Sequence, residues 1–257
     1  YLTGDTHGRF ERIGIFCDKM QTSRDDILII LGDAGINFHA GALDILRKEY
    51  LAKLPITLLC IHGNHERRPE SLPYYDEQEW HGGKVYMEAR YPNILFAKDG
   101  EVYDLNGKKA IAIGGAYSID RFFGHEGDDW WLEEEVSQDD VVKLGSEPLD
   151  VLITHDVPQG TQVVSNALVS HKDELLSQAS RLLISDAVRN TAPSQVFSGH
   201  WHQRVTSRLP YRETVVEVLD REHHPGNAVV LDLETRTVTP FDPIGLQLPG
   251  YAAHGKA

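Results

Sequence analysis

Five apolar, β-branched-rich runs, each breaking at once into a short loop of Gly, Asp, Asn or His, constrain this chain more than any other feature. Tyr1 to Thr3 runs into Gly4-Asp5-Thr6-His7, Ile27 to Leu31 into Gly32-Asp33, and Ile56 to Ile61 into Gly63-Asn64-His65-Glu66. Val151 to Thr154 meets His155, and Val196 to Phe197 precedes Gly199-His200-Trp201-His202. Nearly continuous apolar runs suit strands buried on both faces, and in α/β folds the carboxyl ends of such strands converge on one crevice. Five loops distant in sequence are therefore expected to build one site.

Helices are expected between the strands. Phe10, Ile13, Cys17 and Met20 form one apolar stripe, Leu43, Leu46, Tyr50 and Leu51 a second, and Leu175, Ala179 and Leu182 a third. Toward the C-terminus, Thr214 to Val218, Ala228 to Leu233 and Thr237 to Phe241 predict strands with turns at His224-Pro225-Gly226-Asn227 and Glu234-Thr235-Arg236, an antiparallel meander completing a second sheet. No repeat or linker divides the chain, so residues 1–257 are expected to form a single α/β domain.

The loops supply three oxygen donors and four imidazoles: Asp5, Asp33, Asn64, His7, His155, His200 and His202. Such a set, free of thiolates, suits two divalent ions of the Mn, Fe or Zn type. Asp5 and His7 stand two apart, as do His200 and His202, so each pair can grip one ion from an extended segment. Asp33 is the expected bridge between ions about 3.5–4 Å apart, which would activate a shared water and clamp phosphoryl oxygens during in-line attack.

Gly4-Asp5-Thr6-His7-Gly8, Gly32-Asp33, Gly63-Asn64-His65-Glu66, His155 and Gly199-His200-Trp201-His202 together resemble the calcineurin-like metallophosphoesterase superfamily, in order and spacing, over positions 4 to 202. The resemblance implies a four-layer sandwich of two mixed β-sheets flanked by helices. It implies a first metal held by Asp5, His7, Asp33 and His202 and a second by Asp33, Asn64, His155 and His200, with His65 as catalytic histidine and a bridging hydroxide as nucleophile. The second motif lacks the Asp-Arg-Gly continuation of the protein serine/threonine phosphatase branch; its aspartate and arginine would fall at Ile36 and Asn37. Asn37 and Asp156 are the stand-ins considered for orienting His65. The segment Gly114 to Asp120, with Trp130-Trp131 and Glu133-Glu134-Glu135, is similar to a bacterial and phage-associated subgroup.

Phosphate contacts are expected from Asn64, Arg121 and Arg67, with Arg68 a further candidate, because a guanidinium matches phosphate oxygens. Tyr117, Phe122, Phe123, Trp130 and Trp131 are read as packing of a long excursion rather than a stacking wall, and Asp128, Asp129 and Glu133 to Glu135 as a solvated face. Asp156 and Glu66 are weighed as supports of the site. His39, His62, His81, His125, His171, His223, His224 and His254 are read as structural.

A formal charge of −14 and a pI near 5.3 argue against bulk nucleic-acid or anionic-membrane binding, so the expected partner is a small phosphorylated substrate, a diester, nucleotide or monoester. Cys17 and Cys60 form no CxxC pair and are expected to be buried thiols of a cytoplasmic protein. No signal peptide is visible, although the chain opens at Tyr1 rather than methionine. Serine/threonine protein phosphatase activity and a non-catalytic metal-binding scaffold are the competing readings.

Overall fold

The computed structural model describes residues 1–39, 41–119, 121, 124–127, 130–165 and 169–241. Asp120, Phe122, Phe123, Asp128, Asp129 and His254 lie outside these residues.

Strands β1 (Leu2–Thr3), β2 (Ile27–Ile30), β3 (Thr57–Cys60), β4 (Asp76–Trp80), β5 (Gly83–Met87) and β6 (Ile94–Ala97) belong to one sheet. Strands β7 (Val102–Leu105), β8 (Lys108–Ile113), β9 (Val151–Thr154), β10 (Gln195–Ser198), β11 (Val205–Arg208) and β12 (Val215–Val218) form the other. Strands β13 (Ala228–Leu231) and β14 (Val238–Pro240) return to the first, giving orders β14-β13-β1-β2-β3-β6-β5-β4 and β11-β12-β10-β9-β8-β7. The central pairings in both sheets are parallel and the outer ones antiparallel.

Alternation along the strands builds three apolar layers. Ile29, Leu59 and Leu95 of the first sheet meet Ala112, Ile153 and Phe197 of the second between the sheets. Leu28, Ile30, Leu58 and Cys60 face outward onto helices α1 (Glu11–Met20) and α2 (Ala42–Leu51). Ile111, Leu152, Val196 and Val216 face outward onto α3 (Gln138–Lys143) and α4 (His171–Thr191). The result is the expected four-layer α/β/β/α sandwich with two mixed sheets, its central parallel strands β2, β3, β9 and β10 buried on both faces as their near-continuous apolar runs required.

Local chemistry sets the helix ends. The Ser170 side chain caps α4 by accepting from Asp173 N–H, and Asp173 and Glu174 place negative charge at its positive N-terminal pole. It ends at Ala192 in the left-handed conformation. Among the described residues no helix is long and apolar enough to cross a membrane. Cys17 and Cys60 are free and buried.

Three expectations need correction. The C-terminal strands do not form one meander: β12 lies between β10 and β11 in the six-stranded sheet, while β13 pairs with β1 in the other and β14 extends that sheet as its edge beyond β13. The 224–227 turn thus crosses between sheets rather than closing a hairpin. In α2, Leu43, Leu46 and Tyr50 are exposed and the helix docks through Asp44, Lys48 and Leu51. Lys48 is accommodated by Glu88, 3.0 Å away, and by the Tyr74 and Tyr75 rings. In α4, Leu175 and Leu182 are exposed, and the buried face runs through Ser180, Ile184, Ala187, Val188 and Thr191. A helix with apolar residues on more than one face does not declare its docking face from apolar spacing alone.

Candidate metal centre

The parallel strands of both sheets deliver their carboxyl ends to one crevice. Asp5 follows β1, Asp33 follows β2, Asn64 follows β3, His155 follows β9, and His200 and His202 follow β10. Contacts between these loops tie the crevice together: His200 N–H donates across the two sheets to Asp5 Oδ1 at 2.9 Å, and within the first sheet His65 N–H donates to Asp33 Oδ1 at 2.9 Å.

Asp5, His7 and His202 form one potential ligand cluster, and Asp5, Asp33 and His155 another. His202 Nε2 lies 3.0 Å from Asp5 Oδ2 and 3.1 Å from His7 Nε2. His155 Nδ1 can only donate to the Leu31 carbonyl, 2.7 Å away, which in the neutral ring leaves a bare Nε2 facing Asn64 Oδ1 at 2.9 Å and Asp33 Oδ1 at 3.5 Å. Lone pairs aimed at one another across these distances, beside two buried carboxylates, form a donor set that a divalent cation would neutralise. Without compensation, each buried carboxylate costs several kcal/mol. The residues fit bound divalent ions in chemistry and arrangement.

Electrostatics point the same way. Burial alone would raise the Asp33 pKa, but the imidazoles of His155, His65 and His7 outweigh it and hold the carboxyl below its ordinary value. Burial also works against ionised Asp5, but its His202 hydrogen bond together with the nearby His155 and His202 imidazoles outweighs this and holds the carboxyl below its ordinary value. Burial lowers the pKa of His7 and His200, keeping their nitrogens available as ligands.

The backbone is strained where ligands cluster. His7, Asp33, His200 and His202 all have positive φ, at 46°, 47°, 63° and 50°. Left-handed non-glycine residues persist only where surrounding structure holds them, and they concentrate at functional sites. Gly32 shows how little space remains: a Cβ there would sit 2.0 Å from His155 Nδ1.

Neighbouring groups hold the donors. Asn64 Nδ2 donates to Ser118 Oγ at 2.8 Å, leaving Oδ1 to face the site. Glu66 is fully buried and accepts the Gly63 N–H at 3.0 Å, with the Ala34 and Gly35 amides also acting on it, so it ties the Asn64 loop to the Asp33 loop. Burial and the Asp33 charge push its carboxyl well above the ordinary value. Asp156 bonds no ligand ring; it accepts Trp201 Nε1 at 2.9 Å and Ser180 Oγ at 3.2 Å, bracing the His200–His202 loop against α4. Asn37 Oδ1 accepts the Tyr75 hydroxyl at 3.0 Å.

Asp33, Asn64, His65, His200 and His202 line a cleft of about 710 Å³. The three arginines proposed from sequence are not among its lining residues. Arg121 pairs with Glu135 and stacks 3.9 Å from the Tyr117 ring centroid; Arg67 donates to the Gly127 carbonyl and lies over Trp131. Arg68 is buried between Asp99 and Asp140. The cleft is lined instead by Arg181 and Arg221, with His224. Tyr117 and Trp131 are buried as packing, whereas Glu134 departs from the expected solvated face with no exposure. Sequence reasoning passed over Ser118 and Arg221, yet each follows the same signal, an apolar strand breaking into a polar loop, after β8 and β12.

The calcineurin-like phosphoesterase family matches residues 1–204, and the chain belongs to this family of metal-dependent phosphoester hydrolases. No curated protein sequence matches it. The structure of TT1561 from Thermus thermophilus is similar with a TM-score of 0.50 at 12% identity, covering 94% of this chain and 97% of that one. A Staphylococcus aureus protein provisionally described as a 5′-nucleotidase, solved with α-ketoglutarate, gives 0.49 at 10% identity, covering 93% of this chain and 52% of that one. Phosphopantetheinyl hydrolase from Mycobacterium tuberculosis gives 0.43 at 14%, covering 86% and 89%. At these identities the first likeness speaks to the fold alone.

Proposed function

We propose that this chain is a dinuclear metal-dependent hydrolase of small phosphate esters, with Asp5, His7, Asp33 and His202 around one ion and Asp33, Asn64, His155 and His200 around the other. The observation that carries the reading is the meeting of Asp5, Asp33 and the His7, His155 and His202 imidazoles in two clusters sharing Asp5, open to a cleft. Asp33, sharing its environment with His7, His65 and His155, remains the candidate bridge.

Bound ions of this kind supply a water of lowered pKa and positive charge for phosphoryl oxygens. The chain's own groups do the rest. Leu31 carbonyl fixes the His155 tautomer, Ser118 fixes the Asn64 amide, and Glu66 and Asp156 brace the loops. His65 stands half-buried in the cleft wall with its backbone bonded to Asp33, placed to give a proton to the leaving oxygen of a bound ester.

Ile36 and Asn37, where the protein phosphatase branch carries its aspartate and arginine, are both fully buried, and Asn37 is engaged with Tyr75. This favours small phosphate esters over phosphoprotein. The test is hydrolysis of p-nitrophenyl phosphate and bis-p-nitrophenyl phosphate by Mn²⁺-, Ni²⁺- or Zn²⁺-loaded protein. Metal-dependent turnover that vanishes in Asp33→Asn supports the reading, and no turnover of either ester by fully loaded protein overturns it.

A further inference from the structure

The 220–224 loop leaves β12 and is fastened to the segment that carries two candidate ligands. Glu222 N–H donates to the Asp5 carbonyl at 2.7 Å, and Gly4 packs so tightly on this loop that a Cβ would sit 2.2 Å from the Asp220 carbonyl oxygen. The loop closes on itself through His224 N–H to Arg221 O at 3.2 Å. Arg221 is therefore carried on backbone that moves with Asp5 and His7.

Within the loop, Arg221 Nε donates to His224 Nε2 at 3.2 Å. That bond requires the neutral His224 tautomer with its proton on Nδ1, the nitrogen 4.0 Å from Asp220 Oδ2. The contact holds the stem of Arg221 and uses one donor, leaving both terminal amino groups without an acceptor among the described residues. Arg221 differs here from nearly every other described arginine, since all but Arg9 are tied to a carboxylate or a backbone carbonyl. Arg221 also lines the cleft with His65, His200 and His202, and its charge acts on the His202 ring.

In a chain of net charge −14, a cation held at the nitrogen nearest its stem and open at its planar tip is equipped for a forked contact to phosphate oxygens. We propose that Arg221, steered by His224, is the phosphate grip of this cleft, and that the preferred substrate presents a terminal, dianionic phosphoryl group. The inference rests on the phosphoesterase reading and narrows it to phosphomonoesters. The Coulomb energy of such a contact scales with the phosphate charge, so the affinity change on a dianion is roughly the square of that on a monoanion.

The experiment compares wild type, Arg221→Ala and Arg221→Lys, each metal-loaded and checked for equal metal content. Inorganic phosphate binding is measured by calorimetry, and KM and kcat for the mono- and bis-p-nitrophenyl esters by turnover. Arg221→Ala is expected to weaken phosphate binding and raise the monoester KM about tenfold, to raise the diester KM about threefold, and to leave kcat within about threefold. Arg221→Lys should recover part of the affinity, as charge without the fork. Unchanged phosphate affinity in Arg221→Ala overturns the grip, and equal KM changes for the two esters overturn the monoester preference. If wild type turns over neither ester, the phosphoesterase reading fails, while phosphate calorimetry still decides whether Arg221 grips the anion.

Discussion

The amide of Asn64 is held by Ser118: Asn64 Nδ2 stands 2.8 Å from the Ser118 hydroxyl, and the opposite end of the amide, Oδ1, stands 2.9 Å from His155 Nε2. An amide ligand is useful only when its oxygen faces the ion, and one hydrogen bond decides which end does. Ser118 reaches this position from the loop after β8, on the sheet opposite the one that carries Asn64. Ser118→Ala is expected to weaken metal affinity about 10–100-fold, the usual range for a group that orients a ligand, while Ser118→Thr retains most of it. A metal titration followed by calorimetry checks both variants.

His65 is outside the proposed ligand set but lines the same cleft. His65→Ala should therefore keep its metal and lose about 10²–10⁴-fold in kcat, the range for a general acid. Metal analysis beside steady-state kinetics separates the two effects, and loss of metal in this variant would place His65 among the ligands.

Gly32 has φ of +94°, and a side chain there would collide with the His155 ring. Gly32→Ala is expected to displace His155 and destabilise the fold by several kcal/mol, from about 1–2 kcal/mol of left-handed strain plus about 1–3 kcal/mol of overpacking. Gly107 has a similar φ of +81° and nothing within 4 Å of the added methyl, so Gly107→Ala should show the strain alone. Denaturant melts of the two variants measure the difference.

Glu134 is fully buried, and burial raises its pKa to about 7 against the opposing influences of Ser118 and the Trp131 amide. A carboxyl raised above its ordinary value of 4.5 favours the folded state fully below that value and loses this contribution as pH rises through about 7. Metal-free protein should thus become less stable between pH 5 and 8, by an amount on the order of 1–3 kcal/mol from this group. Glu134→Gln, which stays neutral, should flatten the decline in a series of thermal melts.

Much of the site was legible because each donor follows an apolar run, and burial on both faces makes such runs continuous. The parallel order of β1, β2 and β3 and of β9 and β10 then brings their ends together without further information. Less was legible where polar residues do the packing. Lys48 and Ser180 face inward while Leu46 and Leu182 face solvent, so apolar spacing misjudged the docking faces of α2 and α4. Arginine roles were equally hidden. Arg67, Arg68 and Arg121 stand near the motifs in sequence, but each is engaged by groups on the 117–140 excursion, whereas Arg221 arrives from a distant strand end. The partner that neutralises a charge is a matter of tertiary structure.

The central claim is a two-ion centre that hydrolyses phosphate esters, and stepwise loading of metal-free protein with Mn²⁺ tests it most directly. Bound ions per chain and p-nitrophenyl phosphate turnover are followed together, for wild type and Asp33→Asn. The account predicts two ions per chain, turnover that rises with the second ion, and loss of both in Asp33→Asn. Saturation at one ion, or two bound ions with no turnover of either the mono- or the diester, would contradict it.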